Sequence, residues 1–527
     1  MAVSRCGRGL IEPRFAGSIE GYVVVDSFTG LEEGDVRILA LLRNYGPDRR
    51  VSIELVACGS TVARNRYTLR LGERLVLESY IVPREGCEVR LLVDGVVLDV
   101  EEVAPASINH VDRAPSIVFV FHNHQPPNYG PDSVYRSLWP FTYVWKPVLS
   151  PYCLGPYYFH AVLLLRLGEG VKLVYNLSPS LVKQWYDVLE RGIVTSSGDV
   201  IGPGSELASI VKETVDSYKM LVAGGVIEVL TSIYAHTIAG YLVDSFGLDD
   251  VIKRELEYGY NITKNLLGVD PSGVWLPEMS FSMKLLPMLG SLGLEYTFLD
   301  ERYHLRVAEG DVGSPYEPYL LQDSNSNTLV VFFRDTELSN DMAFSNNYCS
   351  DIHAVKGAYK FVQKVISRFT ARNVKTLTLA LDGENWMALS ENPPATAVFL
   401  ETTLSLLKNL SSRGLVKLST ARDVVRSEPP ARRLRYIPST TWLGSYRKWR
   451  GERAEHGGFW RAVEDRIARY RRYVAKQGLD ERAKSAEWAL WHILDSDYWW
   501  AEFWNEEMLS LWMEEFDKHI TPDSHLQ

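Results

Sequence analysis

Two stretches of the 527-residue sequence end an apolar run in a carboxylic acid. In GVWLPEMSF, residues 273–281, Pro277 has no N–H for sheet pairing, so Glu278 is predicted just beyond a strand that carries Trp275. In LALDGENW, residues 379–386, Asp382 ends a second strand and Glu384 follows a glycine turn. One such residue alone is most simply a surface carboxylate. Two carboxylates at the ends of different strands are the minimum that glycoside hydrolysis requires.

A glycosidase needs one of these carboxyl groups ionised and the other protonated near neutral pH. A hydrophobic site lined by tryptophan can separate their pKa values in this way. We therefore predict that Glu278 and Asp382 form a catalytic pair. The residues predicted to contact substrate beside them are Trp275, Glu384 and Trp386.

The segment FHNHQPP, residues 121–127, follows another apolar strand and carries two histidines. Alternate side chains of an extended chain point the same way, so His122 and His124 could bind a metal ion. A metal site needs further ligands, and the other histidines are scattered, so we predict neither a metal nor a cofactor. Hydrogen bonds from His122, His124 and Gln125 to sugar hydroxyls are the favoured role, and a structural role is the alternative.

Two further stretches carry acids among apolar residues. Glu228 lies inside the run IEVLTS, residues 227–232, which leads to His236. A buried, unpaired Glu is costly, so Glu228 has either a structural ion-pair partner or a polar pocket, and both stay open. Near the C-terminus, DSDYWW combines Asp497 with the tryptophans at 499 and 500. For Asp497, Trp499 and Trp500, core packing and a substrate-groove role are both reasonable.

Seven short apolar strands, separated by segments of helical period, must position these residues. Continuous apolar runs indicate strands buried on both faces, and their alternation with helices predicts parallel βα units. We expect an α/β fold with a barrel, complete or not, whose chemistry lies at the strand C-terminal ends. The predicted strands are residues 116–121, 172–177, 227–232, 273–276, 296–299, 328–333 and 376–381.

The chain is predicted to have three parts. Residues 1–105 carry short strands and turns such as Asp94-Gly95, which predicts an all-β sandwich that packs or spaces rather than binds glycan. A proline-containing linker, residues 104–115, leads to the barrel at 116–425. Residues 426–527 show helical periodicity with Arg/Glu faces and many aromatics. We predict that they form a helical region packed on the barrel.

Composition restricts the partners. A formal net charge of −10 argues against a nucleic-acid backbone, whereas 14 Trp and 28 Tyr suit a carbohydrate groove. The N-terminus lacks a secretory signal and no run is long and apolar enough for a membrane span, so we predict a soluble, cytoplasmic protein without a membrane partner. The five cysteines include no CxxC pair. Cys58 and Cys87 could bond within the N-terminal module, but the sequence favours no pairing.

Taken in order, HNHQP, GVIEVLTSIYAH, GVWLPE, LALDGENW and SDYWW resemble the five sequence motifs of glycoside hydrolase family 57, over residues 116–515. The resemblance implies an incomplete (β/α)7 TIM-like barrel, a helical C-terminal part and retaining activity on α-glucans. It makes Glu278 the nucleophile and Asp382 the general acid/base. It also places His124, Glu228 and Trp275 around the sugar that is cleaved. DGEN and residues 333–339 resemble the amylopullulanase-type members.

The predicted function is therefore a retaining hydrolase of α-glucans such as starch, glycogen, pullulan or maltodextrins, acting by double displacement. Retention predicts a carboxyl–carboxyl separation of about 5–5.5 Å. A 4-α-glucanotransferase or glycogen branching enzyme would use the same pair and is the alternative. A metal-dependent carbohydrate deacetylase using His122 and His124 is a more distant one. An intact carboxylate pair argues against a non-catalytic glycan-binding protein.

Overall fold

A computed structural model describes residues 11–27, 35–83, 86–103, 114–145, 154–345, 347–371 and 374–521. Residues 104–113 of the predicted linker lie outside this description. Within the described residues, no helix combines the length and the apolar composition that a membrane crossing requires.

Two four-stranded antiparallel sheets form the N-terminal module and enclose an aliphatic core that includes Val23, Ile38, Ile53 and Val89. The sheets have the strand orders β1-β2-β3-β6 and β5-β4-β7-β8. The predicted β-sandwich is confirmed. Its strands are β1 (Phe15–Ala16), β2 (Ile19–Asp26), β3 (Val36–Asn44), β4 (Arg49–Ala57), β5 (Ser60–Leu69), β6 (Arg74–Ile81), β7 (Glu88–Val93) and β8 (Val96–Glu102).

A disulfide joins Cys58 to Cys87, so the expectation that these two cysteines stay unpaired is wrong. The reason is the register of the sheet. Strand β4 pairs with β7 so that Ala57 lies opposite Val89, which brings the end of one strand beside the start of the other. The two Cα atoms are 4.5 Å apart, within the range that a disulfide spans.

A closed barrel of seven parallel strands forms the centre of the molecule. Its strands follow chain order around the ring, β9-β11-β14-β15-β16-β19-β20, and β20 pairs with β9 to complete it. The seven predicted strands and the (β/α)7 architecture are confirmed. The strands after the module are β9 (Ser116–Asn123), β10 (Val134–Tyr135), β11 (Leu173–Leu177), β12 (Ile193–Thr195), β13 (Val200–Ile201), β14 (Ile227–Ser232), β15 (Gly273–Trp275), β16 (Tyr296–Asp300), β17 (Glu309–Gly310), β18 (Tyr319–Gln322), β19 (Thr328–Arg334), β20 (Thr376–Asp382), β21 (Lys417–Leu418) and β22 (Arg432–Tyr436).

Helices surround the barrel and make up the C-terminal region. Polar caps and prolines mark where several of them begin: Ser178 accepts from the Leu181 N–H before α3, and Pro179 is its first residue. The helices are α1 (Trp139–Trp145), α2 (Pro156–Leu167), α3 (Pro179–Glu190), α4 (Glu206–Ala223), α5 (Ala239–Phe246), α6 (Asp249–Leu267), α7 (Leu286–Ser291), α8 (Thr336–Phe344), α9 (Asp351–Ala371), α10 (Asn385–Ala388), α11 (Pro393–Ser412), α12 (Ala421–Ser427), α13 (Arg447–Arg450), α14 (His456–Gln477), α15 (Glu481–Ile493), α16 (Ser496–Trp499) and α17 (Glu506–His519).

The C-terminal helices are fixed to the barrel by a charged contact between α6 and α15. The Arg254 guanidinium binds both carboxylate oxygens of Glu487, with Nε 2.7 Å from Oε1, and Tyr470 donates to the same carboxylate. This two-pronged geometry orients α15 against the barrel. The expected helical C-terminal region is confirmed.

The N-terminal module is fixed to the barrel through α9. The Lys356 side chain, only 2% exposed, donates to the Val23 carbonyl and forms ion pairs with Asp99, at 3.1 Å, and with Glu101. Tyr22 stacks on His353 one turn earlier, with ring centroids 5.1 Å apart. Buried charges that are paired across an interface are costly to separate. The module and α9 therefore form a fixed contact.

Lys356→Ala should lower the free energy of unfolding of the full chain by about 3 kcal/mol, because Asp99 loses its buried cation and keeps only Arg14, 3.9 Å away, whereas Glu101 keeps Lys360. Urea unfolding followed by tryptophan fluorescence measures the effect. Lys364→Ala on the same helix is the matched control: that lysine is 41% exposed and pairs with Asp341, so its loss should cost less than about 1 kcal/mol. Equal losses of unfolding free energy in the two variants would show that the buried ion pair stabilises the protein no more than the exposed one.

Candidate active site

Glu278 lies directly beyond the C-terminal end of β15. Pro277 starts a tight turn, in which the Met279 N–H donates to the Leu276 carbonyl. Glu278 itself has φ of 56°, in the left-handed region, and Met279 has φ of 52°. Residues other than glycine adopt this backbone conformation at a cost in energy, and residues that do so concentrate at functional sites. The turn directs the Glu278 side chain inward, where it is 10% exposed.

Trp442 holds the Glu278 carboxyl group. Its indole Nε1–H donates to Glu278 Oε2 at 2.8 Å, and its backbone N–H donates to the Glu278 carbonyl at 3.2 Å. The Arg334 guanidinium lies over the indole, 5.5 Å from the ring centroid. Sequence reasoning missed Trp442 and Arg334. The signals were a lone tryptophan in the loop PSTTWLGS and an arginine that ends an apolar strand.

Asp382 ends β20, and its register in the sheet sets it beside His122 of β9. Its carboxylate accepts from Asn385 Nδ2 at 3.0 Å and is exposed to solvent. The negative charge of Asp382 acts on Glu278, so the two carboxyl groups lie close enough to interact. The structure thus brings together the two acids that the sequence placed at separate strand ends.

The two carboxyl groups differ in their surroundings. Burial, and after it the charge of Asp497, raise the pKa of Glu278 to about 8 against the opposing effect of the Trp442 N–H. Asp382 by contrast is in contact with water. Burial therefore acts on the carboxyl group that the family resemblance makes the nucleophile, and it keeps the proton on that group in the absence of substrate.

Three histidines cluster next to Glu278, two from the end of β9 and His236 from the segment after β14. His122 Nε2 is 2.9 Å from His236 Nε2, and His236 Nδ1 is 3.9 Å from Glu278 Oε1. The ring of Trp275 stacks on His122, with centroids 4.8 Å apart. Burial lowers the pKa of His122 and of His236, so both are neutral at neutral pH.

The three histidine side chains bring nitrogen atoms within 4.8 Å of one another, close enough to raise the question of a metal. A metal ion must lie in the plane of each ring that binds it, where the nitrogen lone pair points. The rings of His124 and His236 stack at 3.8 Å with 15° between their planes, so their lone pairs do not converge. His122 and His236 face each other as hydrogen-bond partners. This arrangement fits a hydrogen-bonded cluster and argues against the deacetylase alternative.

Two more acids border the cluster. Asp497 Oδ2 is 2.5 Å from His124 Nε2 and 3.8 Å from His236 Nδ1. Glu384 is buried and accepts from the His124 backbone N–H, and burial together with Asp382 raises the pKa of its carboxyl well above the usual range. Gln125 lies at the edge of this group, next to the Tyr157 hydroxyl.

A second tryptophan, Trp500, packs on the Trp442 indole that contacts Glu278. Trp500 lies nearly parallel to Trp442, with ring centroids 6.3 Å apart and 13° between the planes, and it is half-buried. Lys448 Nζ lies over Trp500, 5.4 Å from the centroid. Flat rings of this kind can pack against the C–H faces of sugars. The substrate-groove role of Trp500 stays a prediction.

Three of the predicted substrate residues lie elsewhere. Glu228 is near the start of β14, at the opposite end of the barrel, where it accepts from the Arg422 N–H of α12 at 3.1 Å. Trp386 is buried against His160 and donates to the Gly383 carbonyl. Trp499 is buried on Trp460, with ring centroids 4.3 Å apart. A sequence motif shows that a residue is near a strand end or turn, but not which way its side chain faces.

Comparison with known proteins identifies the family and the fold. The family model described as Glycosyl hydrolase family 57 matches residues 164–440, more than half of the chain. A 1,4-alpha-glucan branching enzyme of Thermococcus kodakarensis is 26% identical over 166 residues, 29% of this chain and 21% of that protein. The chain thus spans about a fifth of the length of this curated relative.

Two solved structures share the fold. A branching enzyme from Pyrococcus horikoshii has a TM-score of 0.55 and 18% identity, over 77% of this chain and 88% of that chain. An alpha-amylase from Thermotoga maritima has a TM-score of 0.52 and 14% identity, over 77% and 92%. Because the family model covers more than half of the sequence, the chain belongs to glycosyl hydrolase family 57.

Proposed function

We propose that the protein is a retaining hydrolase of α-glucans that works by double displacement. The observation that carries the proposal is the pair of carboxyl groups, Glu278 and Asp382, which interact from the ends of two barrel strands. Family membership and the α-glucan activities in the names of its relatives support the substrate class.

In the first step, the Glu278 carboxylate attacks the anomeric carbon and the glycosidic C–O bond breaks. Asp382 gives its proton to the departing sugar oxygen, and a covalent glycosyl-enzyme forms. Glu278 must be ionised to attack, and the Trp442 N–H supports its charged form. A glucan that covers Asp382 removes the water that stabilises the charged form of its carboxyl group.

In the second step, Asp382 takes a proton from water, and the hydroxide oxygen bonds to the anomeric carbon as Glu278 leaves. The exposure of Asp382 supports hydrolysis, because solvent has access to the group that must activate it. Amylopullulanase-type specificity is part of the proposal and rests on DGEN and on residues 333–339.

Transfer to a sugar hydroxyl, as in a branching enzyme or glucanotransferase, is the second candidate. It uses the same covalent intermediate, and it is supported by the similarity to two branching enzymes. Stacking of an acceptor chain on Trp442 and Trp500 would favour it, because an acceptor that is held there competes with water.

A cytoplasmic location stays a prediction from the N-terminal sequence. The disulfide between Cys58 and Cys87 bears on it, because such bonds are rare in cytosolic proteins other than those of hyperthermophiles.

Glu278→Gln should lower kcat by at least about a thousandfold, because an amide cannot form the glycosyl-enzyme. The initial rate of reducing-end release from amylose measures the loss, and glucan binding should persist in affinity electrophoresis. Glu391→Gln, an exposed glutamate beyond α10, is the control and should keep wild-type activity. Wild-type turnover by Glu278→Gln would remove this residue as the nucleophile.

Asp497→Asn should move the acid limb of the kcat/KM–pH profile to lower pH. The negative charge of Asp497 raises the pKa of Glu278, so its removal lets Glu278 ionise at lower pH. In the wild type, activity should rise as the pH approaches about 8, the pKa of Glu278. An acid limb that stays in place would show that Asp497 does not set the ionisation of the nucleophile.

Overnight digests of maltoheptaose, amylose and pullulan, resolved by size, distinguish the two candidate functions. Hydrolysis should yield only shorter products, and cleavage of pullulan would reveal activity on α-1,6 bonds or on the α-1,4 bonds beside them. Chains longer than maltoheptaose would show transfer. Proton NMR of the first product should show the α-anomer, because two displacements retain configuration. A first product in the β-configuration would contradict double displacement.

A further inference from the structure

A buried chain of hydrogen bonds runs behind the catalytic cleft and ends beside Glu278. It begins at Asn176 on β11, whose Oδ1 is 2.7 Å from His122 Nδ1. His122 Nε2 lies 2.9 Å from His236 Nε2, and His236 Nδ1 lies 2.8 Å from the Ser496 hydroxyl. All four side chains are buried, and Asn176 is completely inaccessible to a sugar.

The surroundings of Asn176 decide which way its amide faces. Its Nδ2 group lies 3.3 Å from the carbonyl oxygens of both Leu230 and Thr231. Carbonyl oxygens only accept hydrogen bonds, so the donor NH2 group must face them and the oxygen must face His122. His122 therefore carries its proton on Nδ1.

The direction of every later bond follows from this first one. A neutral imidazole has one N–H, so His122 Nε2 is an acceptor, and the His236 Nε2–H donates a hydrogen bond to it. The Nδ1 atom of His236 is then an acceptor too. It accepts a hydrogen bond from the Ser496 hydroxyl, which has no second hydrogen to donate.

The Ser496 hydroxyl and the Glu278 carboxyl group both border His236 Nδ1, at 2.8 Å and 3.9 Å, and a hydrogen bond donated by Ser496 would lower the pKa of Glu278. The Ser496 proton is committed to His236, so the hydroxyl turns only lone pairs towards Glu278. Such an oxygen can accept from a protonated carboxyl group but cannot stabilise a carboxylate. The other groups that face Glu278 are the charges of Asp497 and Asp382, the N–H of Trp442, and His236 Nδ1, which is 3.9 Å from Oε1.

We infer that Asn176 is a positioning residue that fixes the tautomers of His122 and His236 and thereby withholds the Ser496 proton from Glu278. Reversal of the chain would require the amide of Asn176 to turn, which breaks both bonds to the β14 carbonyls. A carboxylate deprived of a donor is the stronger base and nucleophile. This inference rests on the proposed role of Glu278.

Asn176→Leu tests the inference, because it removes the acceptor and frees His122 to carry its proton on Nε2. The chain can then reverse, Ser496 donates to Glu278, and the acid limb of kcat/KM should move down by roughly half to one pH unit. The kcat on the plateau should fall severalfold, because the donor weakens the nucleophile.

The control is the same substitution made in a Ser496→Ala background, where the last link is absent. Asn176→Leu should then leave the acid limb where Ser496→Ala alone has put it. A merely structural role of Asn176 predicts equal shifts in both backgrounds, and that result, or no shift in either, would overturn the inference.

Neutron diffraction from deuterated wild-type crystals gives a second test that needs no variant and no assumption about Glu278. Deuterium should appear on His122 Nδ1 and His236 Nε2, and not on His122 Nε2 or His236 Nδ1. The opposite pattern would refute the tautomers that we assign to His122 and His236, even if Glu278 is the nucleophile. Turnover by Glu278→Gln would refute the proposed function while the deuterium pattern still reports on the chain.

Discussion

Burial of the Glu278 carboxyl group is the constraint on which the site depends. Burial, followed by the charges of Asp497 and Asp382, raises its pKa to about 8, while the Trp442 N–H opposes the shift and the neutral imidazole of His236 lies 3.9 Å away. A lysine or arginine in contact would stabilise the charged form and weaken it as a nucleophile. The left-handed backbone of Glu278 adds a further cost. The surrounding closed barrel, with its apolar core, has to offset both.

The three histidines beside Glu278 add no positive charge to its surroundings. A protonated imidazole beside Glu278 would form an ion pair with it and remove the effect of burial. Burial lowers the pKa values of the three histidines, and each ring is held by a neutral partner on Nδ1: Asn176, Ser178 or Ser496. Asp497 is the exception, and it lies against Nε2 of His124, the histidine whose Nδ1 meets Ser178. Polar groups thus orient the rings without adding positive charge.

The sequence was enough to place the seven strands, because runs of apolar residues between helical segments have few other solutions. It also put Glu278 and Asp382 at the ends of two strands of one barrel, and their catalytic pairing stays a prediction. Side-chain direction was beyond it. Glu228 sits in an equally apolar strand but near the start of it, so it meets α12 instead of the cleft. Trp442 and Asn176 were missed because each acts across the fold, and neither a loop tryptophan nor a strand asparagine has a periodic signal. The Cys58–Cys87 bond depends on sheet register, which spacing does not reveal.

The N-terminal module contacts α9, the helix that precedes strand β20 in the chain. Helix α9 carries the buried Lys356 contact with the module, and it is followed in the chain by β20, which ends at Asp382. Asp382 is exposed, so packing of its own side chain does little to orient it, and Asn385 supplies a single hydrogen bond. Its position therefore comes from the backbone of β20, which pairs with β9 along its whole length and sets Asp382 opposite His122. The module meets the barrel at α9, through Lys356 and His353, so its described contacts are with the scaffold that carries the site.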